Sequence, residues 1–391
     1  MKPLRLALIT RRYWPLMGGA EGAMANLACQ LQEMGHHVEI VTAQWHPAWP
    51  RQIVHQGVPV TRIPNPPIRA WGTLRYMMSL GRWLRQHQGR FDVVYVSMLK
   101  HSATVAVTRF KNSPLPVVLR AEGPGESGDC HWQTVANFGM RIRRVCQEST
   151  AVVATSREIE QELLDAQYDR DKVHFIANGV RVGAVATPES RLLARENLAA
   201  ANPALALPES APLVLFTGRL HPGKGLLKLV KTWPNVLARV PNARLYLVGE
   251  GPQEGELRGM ISALGLQSRI ILPGVFDNVE DLLHAANAFV LPSHFEGMSY
   301  SLMEAMSVGL PVIVSDIPGN RGIIEHGVTG TLFPLENPQV MADQIIHALV
   351  QPRQAELLGQ AAREAVVARH SLQANAQQHV DFFRELLERQ R

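Results

Sequence analysis

Cysteine is scarce in this chain of 391 residues, which holds only Cys29, Cys130 and Cys146. None are spaced as CxxC and the count is odd, so neither a disulfide framework nor a thiolate zinc site is expected. A reducing, cytoplasmic setting is the expectation. Long apolar runs are missing too, with none reaching the ~18–20 residues a membrane-spanning helix needs. The opening MKPLRLALITRRYWP has one short apolar run, followed by arginines and aromatics where a signal peptide would place small residues. It reads as a first β-strand. Acids are nearly absent from the first third, where residues 1–120 hold 15 Lys+Arg against 4 Asp+Glu and the rest hold 24 against 30. That asymmetry turns one face toward something anionic, such as lipid, nucleic acid or a phosphorylated substrate, unless it is simply a solvated surface. What is plentiful is hydrophobic residues, 46% of the chain, enough for real cores and against a disordered or fibrous chain. The length predicts two domains or three.

Short β-branched runs alternate with helix-length amphipathic segments. The first series of expected strands is Leu4–Thr10, His37–Thr42, Val58–Ile63, Asp92–Ser97, Pro116–Arg120, Ala151–Thr155 and Val173–Ala177, with helical patterns such as Glu21–Met34 and Leu74–Gln86 between them. A second series follows at Leu213–Thr217, Arg244–Val248, Arg269–Leu272, Ala288–Pro292, Pro311–Ser315 and Gly330–Phe333. This alternation predicts parallel sheets covered on both faces. Arg181–Pro212, rich in Ala, Pro, Asn and Glu, reads as a linker with a short helix near Ser190–Ala200. From about Gln339 onward the chain reads as helix. The expected fold class is α/β, two doubly wound Rossmann-like domains facing across a cleft, with ligands beyond the carboxyl ends of the strands.

Three segments stand at such ends. Gly18-Gly19-Ala20-Glu21 opens the first helix, where glycine permits close approach and free N–H groups favour an anion. It is not GxGxxG, so a nicotinamide cofactor is unsupported, and a Gly pair is often just a turn. Gly218-Arg219-Leu220-His221-Pro222-Gly223-Lys224-Gly225 sets a guanidinium and an ammonium five residues apart in a glycine-rich turn, which suits a diphosphate. It lacks P-loop spacing, disfavouring ATP with magnesium; the rival reading is a solvated loop. The third segment, Pro292 to Glu304, carries Glu296 in a loop and Glu304 in the helix after it. Both can accept hydrogen bonds from hydroxyls of a sugar and a ribose, and the amides of Met298–Tyr300 suit a phosphate. Ser301-x-x-Glu304 is equally a capping-box pattern, which would make Glu304 a helix-start residue.

GRLxxxKG followed by EGxxxxxxE resembles the GT-B glycosyltransferases of family 4, which are retaining and nucleotide-sugar dependent. The resemblance spans most of the chain and includes Gly18-Gly19, Asn178-Gly179-Val180, Gly249-Glu250-Gly251-Pro252, and Gly309-Leu310-Pro311-Val312 with Ser315. It implies that Arg219 and Lys224 bind the donor diphosphate, Glu304 the ribose, and Glu296 with Gly297, Met298 and Ser299 the donor sugar. Gly274–Asp277 would edge the base, and the Gly18 and Gly19 amides would close over phosphate. It implies residues 1–180 as an acceptor domain completed by a helix at about 372–391, a linker over 181–212, and a donor domain over 213–371. The implied activity is transfer of a sugar from a UDP- or GDP-sugar to a glycan, lipid-linked or small-molecule hydroxyl in envelope glycan, polysaccharide or glycolipid synthesis. Retention, no metal and no further cofactor are implied, with no nucleic-acid partner. Where many relatives carry His, this chain reads Arg120-Ala121-Glu122-Gly123-Pro124-Gly125. Glu122 is then a candidate to orient the acceptor hydroxyl, while Arg120 either binds phosphate or pairs with Glu122. His101 is the nearest histidine and a weaker candidate.

Two rivals remain open at this point: a non-hydrolysing nucleotide-sugar epimerase of the same fold, and an inactive sugar-nucleotide-binding protein. Ile68–Phe91 adds Arg69, Arg75, Arg82, Arg85 and Arg90 without an acid, interleaved with Trp71, Tyr76 and Trp83. Such a helix suits peripheral attachment to an anionic membrane face, unless its aromatics turn into the core.

Overall fold

The computed structural model describes residues 2–16, 18–68, 71–276 and 278–389. The chain divides into two compact units, residues 1–179 with 372–391, and residues 180–371. The first is built on β1 (Arg5–Ile9), β2 (His37–Gln44), β3 (Gln52–His55), β4 (Val58–Pro64), β5 (Val93–Ser97), β6 (Val117–Ala121), β7 (Ala151–Ala154) and β8 (Val173–Phe175). Their order is β3-β4-β2-β1-β5-β6-β7-β8, parallel except for β3. Period-two alternation splits β1 between two cores, with Ala7 and Ile9 on one face and Leu6 and Leu8 on the other. The helices Trp71–His87 and His101–Phe110 cover the first face; Gly19–Glu33 and Leu372–Arg389 cover the second. The last of these seats Phe383 edge-on to Tyr95, and Asn375 hydrogen-bonds the Ala177 carbonyl at 2.5 Å.

The second unit carries β9 (Leu213–Thr217), β10 (Arg244–Val248), β11 (Ile270–Gly274), β12 (Ala288–Leu291), β13 (Val312–Ser315) and β14 (Thr331–Phe333), all parallel, in the order β11-β10-β9-β12-β13-β14. β9, β12 and β13 are buried along their whole length, as a sheet covered on both faces requires.

The structure departs from the sequence reading at 181–212, adds a strand, and divides the residues of one helix between core and surface. Residues 181–212 are not a linker but part of the second unit. Their helix Pro188–Ala201 starts from a reciprocal Thr187–Ser190 cap and buries Ala194 and Leu198. Its buried Arg195 donates to the Ala285 and Glu209 carbonyls and to Asn287 Oδ1. The second unit therefore begins near residue 180 and not at 213. β3 was not expected; it pairs with β4 across a Gln56-Gly57 turn with φ 50° and 80°, and that dipeptide between apolar runs was its signal. Finally, two aromatics of Trp71–His87 turn inward. Tyr76 is buried and bonded to Ser102 Oγ at 3.0 Å, and Trp83 stacks on His87. Trp71, Leu74, Arg75, Met78, Arg82 and Arg85 remain exposed along one stripe; Arg69 lies outside the described residues. No helix among the described residues is long and apolar enough to cross a membrane.

Candidate active site

In the second unit β9 lies between β10 and β12, so the chain winds outward in both directions from it. Helices leaving β9 and β12 diverge to opposite faces and open a crevice at the strands' carboxyl ends. Both charged motifs fall there. After β9, Gly225 has φ 68°, and a Cβ on it would stand 2.1 Å from the Pro292 carbonyl oxygen, so only glycine lets this turn touch the loop after β12. The His294 N–H donates to the Gly223 carbonyl at 2.8 Å and ties the two loops together.

Lys224 Nζ lies 2.5 Å from Glu296 Oε1, and the buried Ser293 hydroxyl donates to the same oxygen at 2.5 Å. The Glu296 side chain is only 10% exposed, so this pair sits in a largely dry setting. Glu296 Oε2 has no partner among the described residues. Arg219 is exposed and forms no ion pair among them. Burial, reinforced by the charges of Arg219 and Lys224, holds His221 below its ordinary range.

The loop bearing Glu296 is held from beneath. Ser315 Oγ donates to the Ser293 carbonyl at 2.5 Å, and Asn320 Nδ2 to the Ser315 carbonyl at 2.8 Å. A Cβ on Gly319 would lie 2.0 Å from the Glu296 carbonyl oxygen. Gly319 and Asn320 were not singled out from sequence, although Pro318-Gly319-Asn320 following a strand was a visible signal.

The helix Tyr300–Ser307 is capped by Ser299, whose Oγ accepts from the Leu302 N–H. Ser301 and Glu304 therefore form no capping box. Glu304 sits at the helix's fifth residue, and its carboxyl has no partner among the described residues. Burial pushes it up to about 7, although the residue keeps a partly open face. The amides of Gly297, Met298 and Ser299 make no backbone hydrogen bond among the described residues. Gly274 ends β11, and its carbonyl accepts from the Gly249 N–H; Asp277 lies outside the described residues.

In the first unit β1 is the corresponding switch strand, between β2 and β5. Gly18 caps the helix Gly19–Glu33 without a side-chain bond. Beyond β6, Glu122 Oε1 takes the Ser97 hydroxyl at 3.1 Å and lies 3.0 Å from Arg120 Nη1. Arg120, only 4% exposed, also donates from Nη2 to Asn178 Oδ1 at 2.6 Å. It thus pairs with Glu122 and is not an open phosphate ligand. Burial pushes the Glu122 carboxyl up to about 7, outweighing the pull of Arg120. Asp129 accepts from the Glu122 N–H at 3.0 Å and lies 3.5 Å from Lys100 Nζ. His101 is half-buried, 3.4 Å from Arg11 and edge-on to Trp132; burial lowers its pKa. No group of three His, Cys, Asp or Glu among the described residues is placed to hold a metal ion.

Two doubly wound parallel sheets, the second with cationic and carboxylate loops at its switch point, define the GT-B architecture. Residues 18–179 match a glycosyl transferase 4-like domain, and residues 200–365 match the glycosyl transferases group 1 family. An uncharacterised glycosyltransferase of Methanocaldococcus jannaschii is 24% identical, over 98% of this chain and 99% of its own. Sucrose-phosphate synthase of Thermosynechococcus elongatus superposes with a TM-score of 0.81 at 22% identity, covering 98% and 99% of the two chains. Anabaena HepE, solved with UDP-glucose, gives 0.78 at 19% identity, covering 98% and 100%. The chain belongs to the GT-B glycosyltransferases of the family 4 type, enzymes that transfer sugar from a nucleotide sugar.

Proposed function

We propose that the protein is a retaining, metal-independent glycosyltransferase that moves a sugar from a UDP- or GDP-sugar to a hydroxyl of an envelope glycan, polysaccharide or glycolipid precursor. The observation that carries this reading is the Lys224–Glu296 contact, which joins the loops after β9 and β12 ahead of the helix that bears Glu304. Arg219 and Lys224 neutralise the leaving diphosphate, which supplies the stabilisation a metal would otherwise give. Glu304 accepts from the ribose hydroxyls. Glu296 Oε2, with the amides of Gly297, Met298 and Ser299, holds the sugar; a phosphate oxygen suits the amides of Gly18 and Gly19. Glu122, with an affinity for protons matched to neutral pH, orients the acceptor hydroxyl. UDP-glucose in the Anabaena neighbour supports a nucleoside diphosphate donor. The exposed stripe of Trp71, Leu74, Arg75, Met78, Arg82 and Arg85 supports peripheral attachment to an anionic membrane face.

Donor turnover with and without acceptor tests the reading. A transferase consumes the donor only with acceptor, apart from slow hydrolysis. Release of an altered sugar nucleotide without acceptor would make it an epimerase, and binding without turnover an inactive relative. A thermal-shift series with nucleoside diphosphates and their sugar conjugates identifies the base and sugar.

A further inference from the structure

At the end of the second sheet opposite the charged loops, Pro212, Asn287 and Pro311 immediately precede β9, β12 and β13. They line a cavity of about 840 Å³, bordered by residues of the helices Pro188–Ala201 and Pro352–His370. That volume is of the size that holds small organic ligands. Its walls are largely apolar, with Val185, Leu310, Leu349 and Val367 among them; Val185 and Val367 are 47% and 40% exposed.

Two guanidinium groups line this apolar space. Arg191 donates from Nε to the Ala286 carbonyl at 3.2 Å. Arg363 donates from Nη1 to the Gly183 carbonyl at 2.8 Å and to the Ser307 carbonyl. Neither forms an ion pair within 4 Å among the described residues, and Arg191 is half-buried, so that burial lowers its pKa. Glu356 and Glu364 also line the cavity; both are exposed, and the charge of Glu356 partly offsets the effect of burial on Arg191. A cation in an apolar wall that is hydrogen-bonded only to carbonyls, with the Glu356 carboxylate acting on Arg191 without an ion-pair contact, is incompletely compensated, and its remaining N–H donors are oriented by the fork geometry of guanidinium. An anion arriving with an apolar body would satisfy both the donors and the walls.

We propose that this cavity is a second ligand site, for a small amphipathic anion whose apolar body lies against Val185, Leu310 and Val367 and whose carboxylate or phosphate meets Arg191 and Arg363. The site goes beyond the transferase reading and does not rest on it, since none of its residues belongs to the donor loops.

Calorimetric titration of the full chain with decanoate, decyl phosphate and decanol, each below its micelle concentration, tests it. Saturable one-to-one binding of decanoate or decyl phosphate is expected, with decanol at least tenfold weaker. The tighter of the two anions tells a carboxylate ligand from a phosphorylated one. Arg191→Gln should weaken the anion at least tenfold, and Ala368→Trp, which fills the cavity from an exposed wall position, should abolish binding. Cooperative thermal unfolding at the wild-type temperature checks that each variant is folded, and Ala368→Trp alone decides if Arg191→Gln is not. No binding, equal binding of decanol, or anion binding that survives Ala368→Trp would each overturn the proposal.

Discussion

The two switch-point regions are built on opposite plans. In the second unit, glycines bring two loops together, and Arg219, Glu304 and one oxygen of Glu296 are left without partners among the described residues. In the first, Arg120, Glu122, Ser97 and Asn178 form a closed network with the guanidinium almost wholly covered. Charges left open suit a ligand at some cost to the fold; in the closed network Arg120 serves the fold, and only the second oxygen of Glu122, unbonded among the described residues, is left for a ligand. The same type of substitution should therefore damage different properties in the two units.

The largest effect should be on stability in the first unit. Arg120→Ala leaves the Glu122 carboxyl buried without its cation, which costs about 3–5 kcal/mol when the survivor stays charged. Glu122 titrates at about 7, so at pH 5–6 it takes up a proton and the loss should shrink. Denaturant unfolding at pH 8 and pH 5.5 measures this. An equal loss at both values would mean that packing, and not charge, is what Arg120 supplies.

Next come the loop cations of the second unit, Lys224 paired with Glu296 and Arg219 exposed. Lys224→Ala and Arg219→Ala should each raise the transfer barrier by about 2–4 kcal/mol, with unfolding little changed for exposed Arg219. Steady-state rates with a nucleotide-sugar donor provide the readout. Near-normal rates in both variants would remove this loop from the site and collapse the contrast between the units.

Glu304→Gln should separate stability from binding. The carboxyl titrates at about 7 in the folded chain against an ordinary 4.5. Below about 4.5 it is protonated in both states. As pH rises toward 7 only the unfolded chain ionises, so stability falls, and above 7 the full penalty is in place. Removing the charge should therefore stabilise the protein at pH 8 by roughly 1–3 kcal/mol, a gain that vanishes near pH 4.5. Affinity for UDP or GDP should fall in the same variant. Stability gained without any loss of affinity would make Glu304 merely a buried acid.

How far the sequence could be read follows the same division. The strand–helix alternation was legible because β-branched runs such as Val312–Ser315 and amphipathic helices differ in period. The loops after β9 and β12 were legible because glycine and charge together at a strand's end are unusual. Their meeting was not, since Lys224 and Glu296 are 72 residues apart and touch only because β9 and β12 are sheet neighbours. Likewise nothing local to Arg120 showed that Asn178 would close its network. The helix Pro188–Ala201 hid its buried face in Ala and Arg, residues that composition alone assigns to a surface segment.

The smallest expected effect concerns the helix Trp71–His87 in the basic first unit. Gly72, Tyr76, Leu80 and Leu84 recur at four-residue spacing and are buried, whereas Trp71, Arg75, Met78, Arg82 and Arg85 form the opposite, exposed stripe. A cation close to an anionic bilayer contributes about 1 kcal/mol, so Arg82→Gln should weaken binding to phosphatidylserine-containing vesicles only about fivefold. Replacing Arg75, Arg82 and Arg85 together should compound to about a hundredfold, and salt should mimic the triple variant because the attraction is screened within a Debye length. Because these side chains are exposed, none of the replacements should shift unfolding. Co-sedimentation with anionic and neutral vesicles over a salt series measures all of this. Equal binding to both vesicle types would assign attachment to Trp71, Leu74 and Met78 alone. Absence of binding to anionic vesicles at low salt would mean that the stripe faces water, and that the basic excess of the first unit serves a soluble anionic partner.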